Sequence, residues 1–322
     1  MKYDVSVVVL TYNAKWEKLR GTLESVLIQK GLEYEIIIAD DGSSVRWDRE
    51  ICEFCDRYGF SNLKIVNAPQ NGGTVRNLSN GVKESNGDYI KPIAAGDYLY
   101  DQYTLVKWFD FMKQNNAKIS FGNAVYFFEK SNEIKVLKKV NHPMQLSLYD
   151  DNVDSRAFFV NYLIANDTVL GAALMTEQSV MRHYLGEIVG KVKFAEDYMV
   201  RLAVFDGVVP MHCPINVIWY EYGTGVSTAA SEKWRQILLQ DYYATNEIIA
   251  KRSKYNNKYA ELLSKVLRKK GIKQKIAKAI CFPDYILARR KNKKHPSFTP
   301  EKGNTEVLIS FMKGKNDAGY KS

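Results

Sequence analysis

Gly87-Asp88-Tyr89-Ile90-Lys91-Pro92-Ile93-Ala94-Ala95-Gly96-Asp97 decides how the rest of the chain is read. It reads as a strand that enters a core and delivers a carboxylate, Asp97, at its carboxyl end. Ala94, Ala95 and Gly96 come just before that carboxylate, and small residues let a bulky ligand approach the backbone closely. A carboxylate leaving a buried strand stands where an α/β sheet places its chemistry. An aspartate at such a turn also serves to cap the next helix, and on this stretch alone the two readings stand level.

Upstream, the same pattern repeats. Val5 to Leu10 is a continuous apolar run, as expected for a strand covered on both faces. It exits into Thr11-Tyr12-Asn13, and Trp16, Leu19, Leu23, Val26 and Leu27 then follow helical spacing. Tyr34 to Ala39 is a second buried strand, exiting into Asp40-Asp41-Gly42-Ser43 before a helix marked by Trp47, Ile51, Phe54, Cys55 and Tyr58. Leu63 to Val66 is a third, exiting into Asn71-Gly72-Gly73 before the helix of Val75, Leu78 and Val82. Strand and helix alternate four times, which predicts a mainly parallel α/β sheet with helices on its faces.

The strand exits form a set: Thr11, Tyr12 and Asn13, then Asp40 and Asp41, then the glycine loop with Arg76, then Gly96 and Asp97. That set suits a nucleotide diphosphate. Tyr12 can pack on a base or ribose. A carboxylate such as Asp41 accepts hydrogen bonds from a uracil imide or a ribose hydroxyl. Arg76 offers a planar fork to phosphate oxygens. Asp97 is a hard oxygen ligand for Mg²⁺ or Mn²⁺ bridging two phosphates.

On these residues the chain resembles the family-2 glycosyltransferases of the GT-A fold. The matching stretches are Val5 to Asn13, Ile38-Ala39-Asp40-Asp41-Gly42-Ser43, Asn71-Gly72-Gly73 through Arg76-Asn77, and Gly87-Asp88-Tyr89-Ile90. The family's Asp-x-Asp metal motif falls on Ala94-Ala95-Gly96-Asp97, which keeps the last Asp and lacks the earlier acids. The resemblance implies that Asp97 alone supplies the direct protein ligand to Mn²⁺ or Mg²⁺. It also implies a nucleotide-sugar donor, expected to be a UDP-sugar, bound by Thr11, Tyr12, Asn13, Asp40, Asp41, Arg76, Gly96 and Glu196.

Further along, residues 119 to 129 and 133 to 139 read as a hairpin turning at Ser131-Asn132, and residues 142 to 167 as a loop-rich stretch fit for an acceptor. Phe194-Ala195-Glu196-Asp197 opens a helix through Tyr198, Arg201, Leu202 and Phe205. By itself the acidic pair reads as helix capping. The resemblance instead implies that Asp197 is the catalytic base, taking the proton of an acceptor hydroxyl in an inverting transfer. Tyr220 to Ser227 reads as a lid. The resemblance covers residues 1 to about 230, divided into a nucleotide-binding half (1–100) and an acceptor-binding half (101–230). A helical basic extension is expected over 231–290 and a mobile tail over 291–322.

Hydrophobic residues make up 46% and charged residues 25% of the 322, an ordinary globular composition. The net charge of +10 is concentrated between 264 and 294, where twelve lysines and arginines face one aspartate, Asp284. Ile272, Ile276, Ala279 and Ile280 fall at helical spacing among those lysines, which points to an anionic membrane surface ahead of a solvated face, with no nucleic acid expected. The apolar run after Met1 is too short for a signal peptide or a span, so a cytoplasmic chain, peripheral on the inner membrane face, is expected. Cys52 and Cys55 form a lone CxxC, read as core packing, and His142, His183, His212 and His295 share no ligand spacing. The acceptor is expected to be a glycan or lipid-linked glycan of the cell surface. Two competing readings are a sugar nucleotidyltransferase and an inactive homologue serving as a glycan-binding scaffold. The first needs a glycine-rich loop after the first strand, where Thr11-Tyr12-Asn13-Ala14-Lys15 stands instead.

Overall fold

The computed structural model describes residues 2–130, 133–141, 143–149, 155–223, 231–252, 258–293 and 299–314. The hairpin turn at Ser131-Asn132, His142, His295 and residues 224–227 of the expected lid lie outside the described residues.

Among the described residues nine strands form one sheet: β1 (Tyr3–Thr11), β2 (Tyr34–Asp40), β3 (Leu63–Asn67), β4 (Gly87–Ala94), β5 (Tyr98–Leu99), β6 (Ile119–Lys130), β7 (Glu133–Asn141), β8 (Leu174–Glu177) and β9 (Met211–Glu221). Their order is β3-β2-β1-β4-β8-β6-β9-β5, with β7 beside β6. Strands β1 to β4 pair in parallel, and β6 is parallel to β9; β8, β7 and β5 run against their neighbours. Strand β8 takes the first residues of β6 (Ile119, Ser120, Phe121) and β7 the last, from Ala124 to Lys130, while β9 covers the opposite edge. The sheet is therefore mixed and mainly parallel, as the alternating pattern predicts.

The strands are apolar on both sides because helices cover both sides. Val5, Val7 and Val9 of β1 face α1 (Trp16–Leu27), α2 (Asp48–Arg57) and α4 (Thr104–Gln114), in a core with Leu23, Phe54 and Trp108. Val8 and Leu10 face α3 (Thr74–Lys83), α6 (Gln178–Ile188) and α7 (Met199–Phe205), together with Tyr162 and Leu163 next to the short helix α5 (Ser155–Phe159). The second core continues into α8 (Glu232–Lys251), α9 (Lys258–Leu267), α10 (Gly271–Cys281) and α11 (Asp284–Lys291) through Ile249, Leu263, Val266, Phe282 and Tyr285.

The tail differs from its expectation. Residues 302–313 form helix α12 (Lys302–Lys313), and Leu308 and Phe311 are buried against Tyr98, Val125, Phe127 and Trp219. Val307, Leu308, Phe311 and Met312 recur at helical spacing, and that stripe closes the β5 end of the sheet. The basic extension is likewise part of the body. Lys278 on α10 is buried, and its ammonium donates to the Ile164 carbonyl at 2.8 Å and the Tyr242 hydroxyl at 3.0 Å.

Candidate active site

The carboxyl ends of β1, β2 and β4 bring the sequence-predicted residues to one edge of the sheet. After β1, Thr11 is buried and Tyr12 is half exposed, with its ring open to a ligand. Asn13 adopts a left-handed backbone (φ 48°), and its side-chain oxygen accepts from the Ser44 N–H and hydroxyl, both at 2.9 Å. Asp40, ending β2, accepts from the backbone and hydroxyl of Ser43, so the two exits are cross-linked. Asp41 is buried, and its two oxygens accept from the Gly72 N–H at 2.8 Å and the Gly73 N–H at 2.9 Å. One lone pair on each oxygen is thus committed to holding the glycine loop. Arg76 is exposed on the first turn of α3, and its stem lies over Gly72, where a Cβ would stand 2.5 Å from Cδ. Its guanidinium has no hydrogen-bond or ionic partner among the described residues.

Asp97 sits in the tight turn between β4 and β5. Gly96 takes φ +105°, and the turn is pinned by the Gly96 N–H donating to the Thr22 hydroxyl at 2.9 Å. Burial pushes the Asp97 carboxyl up to about 7, against the opposing pull of Lys91 and Lys18. Glu221, at the end of β9, stands beside it and is ion-paired with Lys18. Sequence reasoning missed Glu221; its signal was a lone acid closing an apolar strand.

Glu196 and Asp197 lie in a 3-10 turn, Glu196–Tyr198, that leads into α7. The residues before the turn are held from two sides. The N–H groups of Lys193, Phe194 and Ala195 donate to the buried carboxylate of Asp241 on α8, at 2.9, 2.8 and 3.1 Å. The Lys193 carbonyl accepts from the Val75 N–H at 3.1 Å, at the start of α3. Burial raises both carboxyls of the pair above the usual range, and repulsion adds to it, from Asp197 on Glu196 and from Asp241 on Asp197. Asp197 has the Arg201 guanidinium and backbone N–H groups to favour its anion, whereas Glu196 feels the charges of Asp197, Asp97 and Asp241. Asp197 is therefore the member that ionises first. Arg201 is itself fully buried, donating to Asn166 at 2.6 Å and Asn246 at 3.2 Å between the rings of Tyr198 and Tyr242.

Lys91, in the middle of β4, is fully buried. Its ammonium donates to the carbonyls of Pro92 at 2.6 Å and Ala172 at 2.7 Å. Burial pulls it down to about 7, and the charges of Asp97 and Glu196 act against that fall. The two carboxylate centres thus share one electrostatic neighbourhood.

Among the described residues no three His, Cys, Asp or Glu side chains gather as a metal cage. Asp97 nevertheless suits a hard cation whose remaining ligands are phosphate oxygens and water, since a buried carboxylate gains from a positive neighbour. His183 pairs with Glu187 at the surface, and His212 meets Asn123 and stacks on Phe121.

A parallel-sheet edge carrying acids on successive strand ends, with a half-buried acidic pair facing them, defines a GT-A type of molecule. The TarS 1–349 protein of S. aureus in its complex with UDP-GlcNAc shares this fold, with a TM-score of 0.55 at 15% identity over 98% of this chain and 92% of that one. Residues 6–166 match the family model "Glycosyl transferase family 2", and the chain belongs to that family. Among curated relatives, an "Uncharacterized glycosyltransferase" of Haemophilus influenzae is 28% identical over 141 residues, 43% of this chain. The aligned region spans only about half of that relative, 55% of its length. The Escherichia coli "UDP-Glc:alpha-D-GlcNAc-diphosphoundecaprenol beta-1,3-glucosyltransferase WfgD" is 21% identical over 240 residues, 74% of this chain and 84% of that protein. No described helix is long and apolar enough to cross a membrane.

Proposed function

We propose that this protein is an inverting glycosyltransferase that moves one sugar from a UDP-sugar to a hydroxyl of a glycan or lipid-linked glycan in cell-surface polysaccharide synthesis. The observation that carries the reading is that the buried Asp97 and the half-buried Glu196–Asp197 pair lie within electrostatic reach of each other at the carboxyl edge of the sheet.

Each residue has a task in that reaction. Tyr12 offers its exposed ring to the base, Thr11, Asn13 and Asp40 line the nucleoside side, and Arg76 turns its unengaged fork to the diphosphate. Asp41 keeps the glycine loop in place and has one lone pair left on each oxygen for the nucleoside. Gly96 leaves room for the donor beside Asp97. Asp97 would hold Mn²⁺ or Mg²⁺, which when bound would offset charge on the leaving diphosphate. Glu196, the carboxyl that keeps its proton longer, donates a hydrogen bond to the donor sugar. Asp197 takes the acceptor proton as the hydroxyl attacks the anomeric carbon from the face opposite the diphosphate, which inverts the configuration.

The names of the relatives support a UDP-linked donor and a lipid-linked or polymeric acceptor. The same reading puts the work at the cytoplasmic face of the membrane, with α10 and α11 resting on anionic lipid. Calorimetry of UDP binding with and without Mn²⁺ tests the donor side. Wild type is expected to bind UDP more tightly with the metal, and Asp97→Asn to lose that dependence. Equal metal dependence in the two proteins removes Asp97 from the cation. A panel of UDP-sugars scored by thermal stabilisation then identifies the sugar: a ligand at a hundred times its dissociation constant adds about 2.7 kcal/mol.

A further inference from the structure

Lys91 is a charged side chain in the centre of a buried strand, and the reaction as set out above gives it no task. Burying an ammonium is costly unless its donors are satisfied and its charge is compensated. Parts of the active site meet the first condition and partly meet the second. Two of its donors end on the Pro92 and Ala172 carbonyls. The charges of Asp97 and Glu196 favour its ammonium against the cost of burial.

The Ala172 bond matters because of what adjoins it. Ala172 belongs to the 3-10 turn Gly171–Ala173 that precedes β8. A Cβ on Gly171 would lie 2.6 Å from Glu196 Oε1 and 3.3 Å from Asp197 Cβ, so this turn packs directly on the acidic pair. A pull on the Ala172 carbonyl fixes how closely the turn approaches the two carboxylates.

We propose that Lys91 is a positioning residue for glycosyl transfer, clamping the Gly171–Ala173 turn against Glu196 and Asp197. The inference rests on the transferase reading given above. Lys91 touches neither donor nor acceptor; it acts through the pair.

A double-mutant cycle tests this, with UDP release from UDP-glucose or UDP-GlcNAc in Mn²⁺ as the rate and calorimetry of UDP as the binding control. Lys91→Met is expected to slow turnover roughly 10- to 100-fold, the scale of a misplaced catalytic group. UDP affinity should change less than threefold. In the Asp197→Asn background the same substitution should cost less than threefold, because the group through which it acts is already gone. If Lys91→Met does not fold, Lys91→Arg keeps the charge but cannot set one nitrogen between the two carbonyls, and it should show the same non-additivity. An equal loss in both backgrounds, or no loss in either, overturns the proposal and leaves the transferase reading intact. A wild-type protein that neither binds UDP nor releases it from these donors overturns both. If Asp197→Asn turns over normally, the assigned base is wrong, and Lys91 falls with it.

Discussion

Asp241 anchors the loop that leads into Glu196 and Asp197, the latter the proposed base. Its carboxylate takes three backbone N–H groups just ahead of Glu196. Asp241→Ala strands those donors and is expected to cost on the order of 3 kcal/mol of stability. It should also lower turnover by about 100-fold through displacement of Asp197. Urea unfolding and a rate measured well below the melting point separate the two effects, and unchanged turnover would mean that the turn holds without it. A second expectation concerns pH. The Asp97 carboxyl titrates near 3.8 when unfolded and is raised to about 7 in the fold. The folded state therefore holds this proton more tightly, so the stability it contributes is complete below about pH 4 and is lost as pH rises through 7. Without metal, Asp97→Asn should equal wild type at pH 4 and exceed it at pH 8 by on the order of a few kcal/mol, read from the urea midpoint. Parallel pH profiles for the two proteins would contradict the raised value. In the sequence Asp97 was legible because a strand end announces itself. Asp41 was legible as an acid at the right edge, but its grip on Gly72 and Gly73 was not, since those partners lie about thirty residues away. Lys91 left a visible sign that went unused: a single charge between Ile90 and Ile93.

At the scale of elements, the first four strands and their helices could be read from apolar runs and turns, because each is completed by neighbours close in sequence. Strand β8 could not, since its four residues gain their place only from Tyr89–Ile90 and Ile119–Phe121. Helix α12 was missed for a related reason: its apolar stripe is short, and its partner surface on β5, β6 and β9 is assembled only in the fold. Helices α10 and α11 carry the reverse information. Lys278 is buried, yet Ile272 is 73%, Ile276 54% and Ile280 74% exposed, and Ile286 and Leu287 extend the same apolar display. Large aliphatic residues exposed among lysines suit the anionic membrane surface proposed above. The protein is expected to sediment with phosphatidylglycerol vesicles at low salt and to be released at high salt, each lysine near the surface adding about 1 kcal/mol. Changing Ile272, Ile276 and Ile280 together to Ser should weaken that binding at least tenfold while UDP binding is retained. Equal sedimentation of the variant would assign the attraction to charge alone. A cut at residue 264 does not serve as the control, because it removes Val266, Leu267, Phe282 and Tyr285 from the core.

Taken whole, the molecule joins its C-terminal helices to its chemistry. Helix α8 holds the loop before Glu196 and Asp197 through Asp241, and Asn246 holds Arg201, so residues 231 onward are continuous with the candidate site. The division drawn from the sequence at residue 230 marks the end of a resemblance, since the buried cluster of α3, α6 and α7 runs on through α8 to α11. Urea unfolding is accordingly expected to give coincident transitions by tryptophan fluorescence and far-ultraviolet dichroism. An early transition confined to helical signal would show that the last helices come away alone.

The strand order also sets a schedule for synthesis. Strands β1 to β4 can assemble as soon as residue 94 clears the ribosome, but the free edge of β4 is closed by β8, which begins at Leu174. At about 5–20 residues per second that edge stays open for roughly ten seconds. During that interval the nascent half-sheet offers unpaired N–H and C=O groups along an apolar strand, a template for joining another chain. The acidic pair follows only at residues 196 and 197, and its Asp241 anchor later still. The enzyme thus emerges with its first four strands pairing before Glu196 and Asp197 exist, and the newborn chain is most in need of a chaperone while the edge of β4 stays open.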